Sequence, residues 1–340
     1  MKCEEKLNPT ERKLASIRKI KEIRSIEGAE NIELLIIDGW QVVAKKGDFL
    51  PGDLCVYFEI DSYLPIRKEF EFLRKNCYKE IKELNQTGFR LKTIKLRGQI
   101  SQGLAMKIKD FEILNNVNLG DDVTDLLDVK KYEPPIPAQL AGEIEKHFPQ
   151  FIPKTDIERI QNIYDEIKAK YCDLEFEVSV KLDGTSMTVY KKDEKIGVCS
   201  KNYELKYNDN NTYCKAAEEV ISVLKNQNIN LAIQGELIGP GIQKNRDKLL
   251  YPTFYIFNIF DIDKQNYFSS DERLLFINDN KLTSVPIISI NMKILNKTLE
   301  ELLNLADGKS LNSECREGVV CKNKEIQFKI INNKYLLKND

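Results

Sequence analysis

The chain has 340 residues, enough for two domains, and its 42% hydrophobic and 31% charged composition excludes a disordered scaffold. No apolar run is long enough to span a bilayer, and the eight scattered cysteines and single histidine, His147, make neither a disulfide framework nor a zinc site. The formal net charge of −1, from 52 basic and 53 acidic residues, confines any nucleic-acid surface to a local patch. The start, Met1–Lys6, is polar with no secretory apolar stretch after it, so a reducing, cytoplasmic location without a membrane is expected.

The first part reads as short strands. Asn31–Ile37 is followed by the turn signal Asp38-Gly39 and then Trp40–Ala44. Gly47 and Pro51-Gly52-Asp53 turn the chain into Leu54–Ile60, Arg90–Arg97 runs to Gly98, and Gly103–Met106 leads to a closing strand. Short strands separated by turns predict a small barrel of the OB type. Lys130–Pro137 is proline-rich and expected to be extended, which places a linker at 129–153 between domains at 1–128 and 154–340. Thr155–Glu158 has capping-box spacing and predicts a helix to about Lys170; further helices are expected at Thr212–Lys225 and Thr298–Ala306. The fold class is therefore α+β, a barrel followed by a domain of antiparallel sheets and helices.

The chemistry concentrates at Lys181-Leu182-Asp183-Gly184, with strand-like Phe176–Val180 before it and Met187–Tyr190 after it. A lysine at a strand corner can aim its amine into a cleft, Gly184 permits close backbone approach by a nucleotide, and Asp183 can hold a divalent cation through its waters. The plainer reading is a hairpin turn with a solvated lysine. Four later segments bear on the choice. Ser200–Leu205 brings Lys201 in a polar loop, and Ile233–Gly241 puts Glu236 on an apolar strand, where a half-buried carboxylate needs a partner. Phe254–Asp261 is aromatic-rich, either core or, through one ring, a stacking platform for a purine worth roughly 1–3 kcal/mol. Arg316–Cys321 and Ile326–Ile331 read as two strands presenting Glu317 and Lys329, which suit either phosphoryl displacement or a cross-strand ion pair.

In this order the segments KLDG, SKNYE, QGELIG, FYIFNIF and EGVV followed by FKII resemble the covalent nucleotidyltransferases, that is, polynucleotide ligases and mRNA-capping enzymes. DNA ligases and capping enzymes carry an OB domain after the last lysine motif, whereas here Lys329 stands near Asp340 and the barrel comes first. That order, together with Pro153–Asn162, the KKYEPP linker and Phe328–Tyr335, is similar to the ATP-dependent RNA ligases of the Naegleria type. The front module also resembles tRNA-binding OB domains in Gly28–Glu33 and Arg97–Gly103, with Arg90, Lys92, Lys95 and Arg97 as a basic stripe for RNA phosphates.

The resemblance implies that Lys181 attacks the α-phosphate of ATP to form lysyl-AMP, that AMP passes to an RNA 5′-phosphate, and that a 3′-hydroxyl then displaces it. It implies Mg2+ or Mn2+ near Asp183, Glu317 and Asn258, with Glu236 at the ribose or the metal shell. Val180 and Phe257 are placed at adenine, with Lys201, Lys329, Arg159 and Lys334 at phosphates. The partner is RNA with 3′-hydroxyl and 5′-phosphate ends, with no obligate protein partner evident. The sequence departs from the family pattern at Val180, where a glutamate is common, at Lys201 for arginine, at Asn258 for an acidic residue and at Ile331 for a lysine. A GTP-using capping-type transferase and a catalytically degenerate RNA-binding protein are the alternatives.

Overall fold

The computed structural model describes residues 12–81, 85–133 and 142–339. It divides into two compact units, one before residue 136 that also takes in the residues from Leu336 onward, the other ending at Tyr335. Met1–Lys6 and the Pro134–Pro137 stretch, expected as a polar start and an extended linker, lie outside the described residues.

In the first unit, strand β1 (Ala15–Ser25) serves two partners. Ala15–Lys19 pairs with β4 (Leu54–Phe58), Ile20–Ser25 pairs with β2 (Ile32–Ile37), and a bulge falls between Ile20 and Glu22. A bulge bends and twists its strand, which curls the five-stranded sheet that β3 (Trp40–Lys45) and β10 (Leu104–Lys107) complete in the order β10-β4-β1-β2-β3. Asp38-Gly39 joins β2 to β3 as expected, with Ile37 opposite Trp40. A four-stranded sheet consists of β5 (Ser62–Leu64), β6 (Tyr78–Ile81), β7 (Gln86–Arg90) and β11 (Lys130–Lys131). The hairpin of β8 (Thr93–Leu96) and β9 (Gln99–Gln102) turns at Arg97-Gly98, both at positive φ. The expected strand Arg90–Arg97 is thus two strands. It breaks where Leu91 turns into the core and its N–H bonds the Ser62 carbonyl. Phe58, Phe70, Phe89 and Phe111 fill the interior, with Phe58 and Phe70 edge to face at 5.4 Å. This is the OB-type barrel expected from the strand pattern.

The second unit holds two mainly antiparallel sheets. β12 (Ile144–His147), β15 (Thr185–Lys192), β16 (Lys195–Cys199), β17 (Tyr203–Leu205), β18 (Leu231–Ile238), β19 (Thr253–Asp261) and β20 (Asn266–Tyr267) form a seven-stranded sheet. β13 (Glu158–Arg159), β14 (Phe176–Lys181), β21 (Ile287–Met292), β22 (Gly318–Lys322) and β23 (Gln327–Ile331) form a five-stranded one, in which only β13 and β23 run parallel. The span expected as linker therefore contributes an edge strand, β12, to the larger sheet. Helix Thr212–Lys225, capped by the Asn211 side chain on the Tyr213 N–H at 2.8 Å, lays Val220 and Leu224 against Met187, Ile233 and Ile259. The other sheet packs Val178, Val319 and Phe328 against Ile160 and Ile167 of helix Ile160–Tyr171 and Leu302 of helix Leu299–Leu305. Thr298 and Glu301 form a capping box on the second of these. The box expected at Thr155–Glu158 does not form. Glu158 accepts from the Arg159 N–H at 2.7 Å, the Thr155 hydroxyl is 3.0 Å from Ser186, and the helix starts only at Ile160.

Candidate active site

The Lys-x-Asp-Gly segment is a passage between sheets. β14 lies in the five-stranded sheet between β21 and β22, while β15 lies in the seven-stranded sheet between β16 and β18. The hairpin reading therefore fails, and Lys181 ends one sheet where the chain crosses to the other. Gly184 has a packing reason of its own: a Cβ there would stand 2.3 Å from the Leu237 carbonyl oxygen. Beside the crossing, Val180, Leu182, Ile238 and Val285 pack as an apolar cluster with half-buried Tyr255, Phe257 and Ile287.

The Lys181 amine donates to Glu317 Oε2 at 2.7 Å, because β14 and β22 pair with Lys181 opposite Gly318. Glu317 is thereby engaged with Lys181, while Lys329 stands opposite Val320 in β23. Glu236 lies on β18, and its Oε1 accepts the Gly184 N–H at 3.2 Å. Asp183 forms an ion pair with Arg246, which also donates to the Tyr335 hydroxyl at 2.7 Å and lies over that ring. Burial pushes the Lys181 amine down, but Glu317, Glu236 and Asp183 outweigh it, and the net direction is up. Burial first, and then the Glu317 and Asp183 charges, raise the Glu236 carboxyl to about 7 against the pull of Lys181. The free site thus keeps its amine charged and one carboxyl poised at neutrality.

The other expected residues are spread around this centre. Arg159 is buried and pairs in register with Lys329. Lys201 reaches Asp156 at 3.3 Å, and Lys334 forms an ion pair with Asp307. Val180 spends its N–H on the Pro286 carbonyl at 2.9 Å and packs its side chain into the apolar cluster. Phe257 packs against that cluster as the extra residue of a bulge, since Ile256 pairs with Gly235 and Asn258 with Gln234. Asn258, expected near the metal, instead accepts a hydrogen bond from the Lys322 amine at 3.0 Å through Oδ1, an oxygen aimed at a cation. In the barrel, Arg90 is 3.4 Å from Asp61 and stacks on Tyr132 at 4.1 Å, whereas Lys92, Lys95 and Arg97 are exposed. Arg246, Tyr335, Glu177, Arg273 and Lys322 were not singled out from the sequence. Arg246 follows the glycine-rich loop after Glu236, the one signal that points to it.

Among the described residues no group of three or more His, Cys, Asp or Glu is placed to hold a metal directly. The donor set around Lys181 is nonetheless all carboxylate, which fits a hard divalent cation kept in its water shell. Nor is any described helix long and apolar enough to cross a membrane.

Comparison with known proteins accounts for both units. A family model described as an OB-fold domain matches residues 14–108, and one described as RNA ligase matches residues 174–338. No curated protein matches. Among solved structures, Naegleria gruberi RNA ligase with PPi is 46% identical, with a TM-score of 0.90 over 96% of this chain and 99% of that one. A mutant of the same enzyme with AMP and Mn is 45% identical, with a TM-score of 0.90 over 96% and 98%. Another mutant, with ATP and Mn, is 45% identical, with a TM-score of 0.89 over 96% and 98%. The chain is an RNA ligase with an N-terminal OB-fold domain and belongs to the family of the Naegleria gruberi enzyme.

Proposed function

We propose that this RNA ligase is ATP-dependent, uses Lys181 as its nucleophile, and seals 3′-hydroxyl to 5′-phosphate RNA ends in three nucleotidyl transfers. The observation that carries the reading is the Lys181 amine, 2.7 Å from Glu317 at a crossing between two sheets, under the charges of Asp183 and Glu236. Complexes of the Naegleria enzyme with ATP or AMP and Mn, and with PPi, support ATP and a divalent metal here.

The Lys181 Nζ attacks the α-phosphorus of ATP; a P–N bond forms, the P–O bond to pyrophosphate breaks, and pyrophosphate leaves. The 5′-phosphate of an RNA end then takes AMP and frees the amine. A neighbouring 3′-hydroxyl attacks that activated phosphate, forming the phosphodiester and releasing AMP. An ammonium has no lone pair, so Lys181 must first lose a proton, and its nearest acceptor is Glu317 Oε2. Asp183 and Glu317 would hold Mg2+ or Mn2+ through its waters, and the bound ion would supply positive charge to offset these carboxylates and the charge building on the α-phosphate. Glu236 binds the ribose or the metal's waters. Phe257 takes the adenine face with Val180 beside the base, and Lys201, Lys329, Arg159 and Lys334 bind phosphates, the two surface lysines after leaving their carboxylate partners. The barrel at 1–128 binds RNA through Lys92, Lys95 and Arg97 with Arg90 beside them, residues 129–153 connect it to the ligase domain at 154–340, and the enzyme works in the cytoplasm with no obligate protein partner.

The test is incubation with labelled ATP or GTP and a divalent metal, followed by joining of a nicked RNA with 3′-hydroxyl and 5′-phosphate ends. Label retained from ATP, together with sealing, supports the reading. Label from GTP alone would make the chain a capping-type transferase, and label from neither an RNA-binding protein.

A further inference from the structure

Phe257 is held in an unusual way. It is the one residue of β19 that the register skips, and its carbonyl oxygen accepts from two cationic side chains. Lys322 of β22 donates to it at 2.5 Å, and Arg273 of the helix Ser270–Asp279 donates from the other side. Lys322 also reaches Asn258 Oδ1 at 3.0 Å and lies 3.5 Å from Glu177, which Arg273 meets at 2.6 Å. The side chains of Glu177 and Arg273 are each 1% exposed and that of Lys322 14%. Burial, reinforced by the Arg273 charge, pushes the Lys322 amine down to about 7 despite Glu177.

Two cations around one carboxylate are an expensive way to satisfy a buried carbonyl, and apolar residues often replace such a triad without loss of stability. What the triad does is geometric. Glu177 lies on β14 four residues before Lys181, Lys322 stands opposite it on β22, and both cations close on the bulge of β19. Bulges next to active sites re-aim a side chain. We infer that Lys322 and Arg273, braced by Glu177, are positioning residues that fix the Phe257 ring as the adenine platform relative to the strand of the nucleophile. The inference rests on the assignment of Phe257 to adenine made above.

The experiment is a double-mutant cycle on purified full-length protein with Lys322→Met, Phe257→Ala and the pair, following lysine labelling at varied ATP and, in reverse, at varied pyrophosphate. Phe257→Ala and Lys322→Met should each raise the KM for ATP by at least about fivefold and up to roughly 150-fold, the range of a lost stacking contact. The maximal labelling rate should change less than about twofold. The KM for pyrophosphate, which carries no base, should stay at the wild-type value, and the pair should be no worse than Phe257→Ala alone. An unchanged KM for ATP in Phe257→Ala overturns the adenine assignment itself. A raised KM there with a wild-type KM in Lys322→Met, or with additive effects in the pair, overturns the positioning role alone. If Lys322→Met does not fold, Arg273→Lys, which keeps a charge beside Glu177 while shortening the reach to Phe257, is read by the same criteria.

Discussion

Glu236 should cost the free protein stability. Its carboxyl is held at about 7 in the fold against an ordinary 4.5, mainly by burial. That displacement corresponds to roughly 3 kcal/mol at 1.36 kcal/mol per tenfold change in proton affinity. The folded state takes up a proton that the unfolded state has lost between pH 4.5 and 7. Stability is therefore full below 4.5, falls as pH rises through 7, and is flat beyond. Glu236→Gln keeps an oxygen for the Gly184 N–H and removes the ionisation. Relative to the wild type it should be neutral at pH 4 and more stable by about 3 kcal/mol at pH 8, a rise of about 6–12 °C in melting temperature for a domain of this size. It should also lose lysine labelling. Thermal melts of both proteins without ATP or metal, from pH 4 to 9, measure the difference. A difference independent of pH, or a variant less stable at pH 8, would refute the argument that burial and neighbouring carboxylates strain this group.

Glu317 raises the Lys181 amine, so Glu317→Gln should shift the rising limb of the labelling rate to lower pH while lowering its maximum; a rate–pH series at saturating ATP and metal measures both. Arg246→Ala removes the counter-ion of Asp183, and half-maximal labelling should then come at severalfold lower divalent-ion concentration, read from a metal titration in which an unchanged midpoint rules out competition. In Gly184→Ala the new Cβ, 2.3 Å from the Leu237 oxygen, should cost about 1–3 kcal/mol in urea unfolding. Replacing Lys92 and Lys95 together by alanine should weaken RNA binding and reduce the slope of log affinity against log salt by about 1–2, measured by fluorescence anisotropy.

Segments whose local pattern matches their packing were legible in the sequence. Helix Thr212–Lys225 has an Asn cap and an apolar stripe, the strands carrying Lys181 and Glu236 are apolar runs that lead to Gly184 and Gly239, and the strand of Phe257 is an aromatic-rich run. Strand β1 was not legible, because its apolar residues Ile17, Ile20 and Ile23 are spaced by three, across the change of partner and then across the bulge, which blurs a period of two. The helix Ser270–Asp279 hid for another reason: its apolar residues Leu274–Ile277 run consecutively, and its buried Arg273 reads as surface. In the site, the motif lysine and carboxylates announced themselves by residue type and order. Their partners did not. Arg246, in the loop between β18 and β19, is 63 positions from Asp183, and Lys322 is 65 from Phe257 on a strand of the other sheet, so only tertiary packing brings each pair together.

The central claim is that Lys181 carries AMP. The direct measurement is peptide mapping by mass spectrometry after incubation with ATP and Mn2+. The account predicts one AMP per chain, on the peptide containing Lys181, in an acid-labile and alkali-stable P–N linkage that pyrophosphate removes and that Lys181→Ala never forms. An adduct on any other residue, or one that persists in Lys181→Ala, would contradict it.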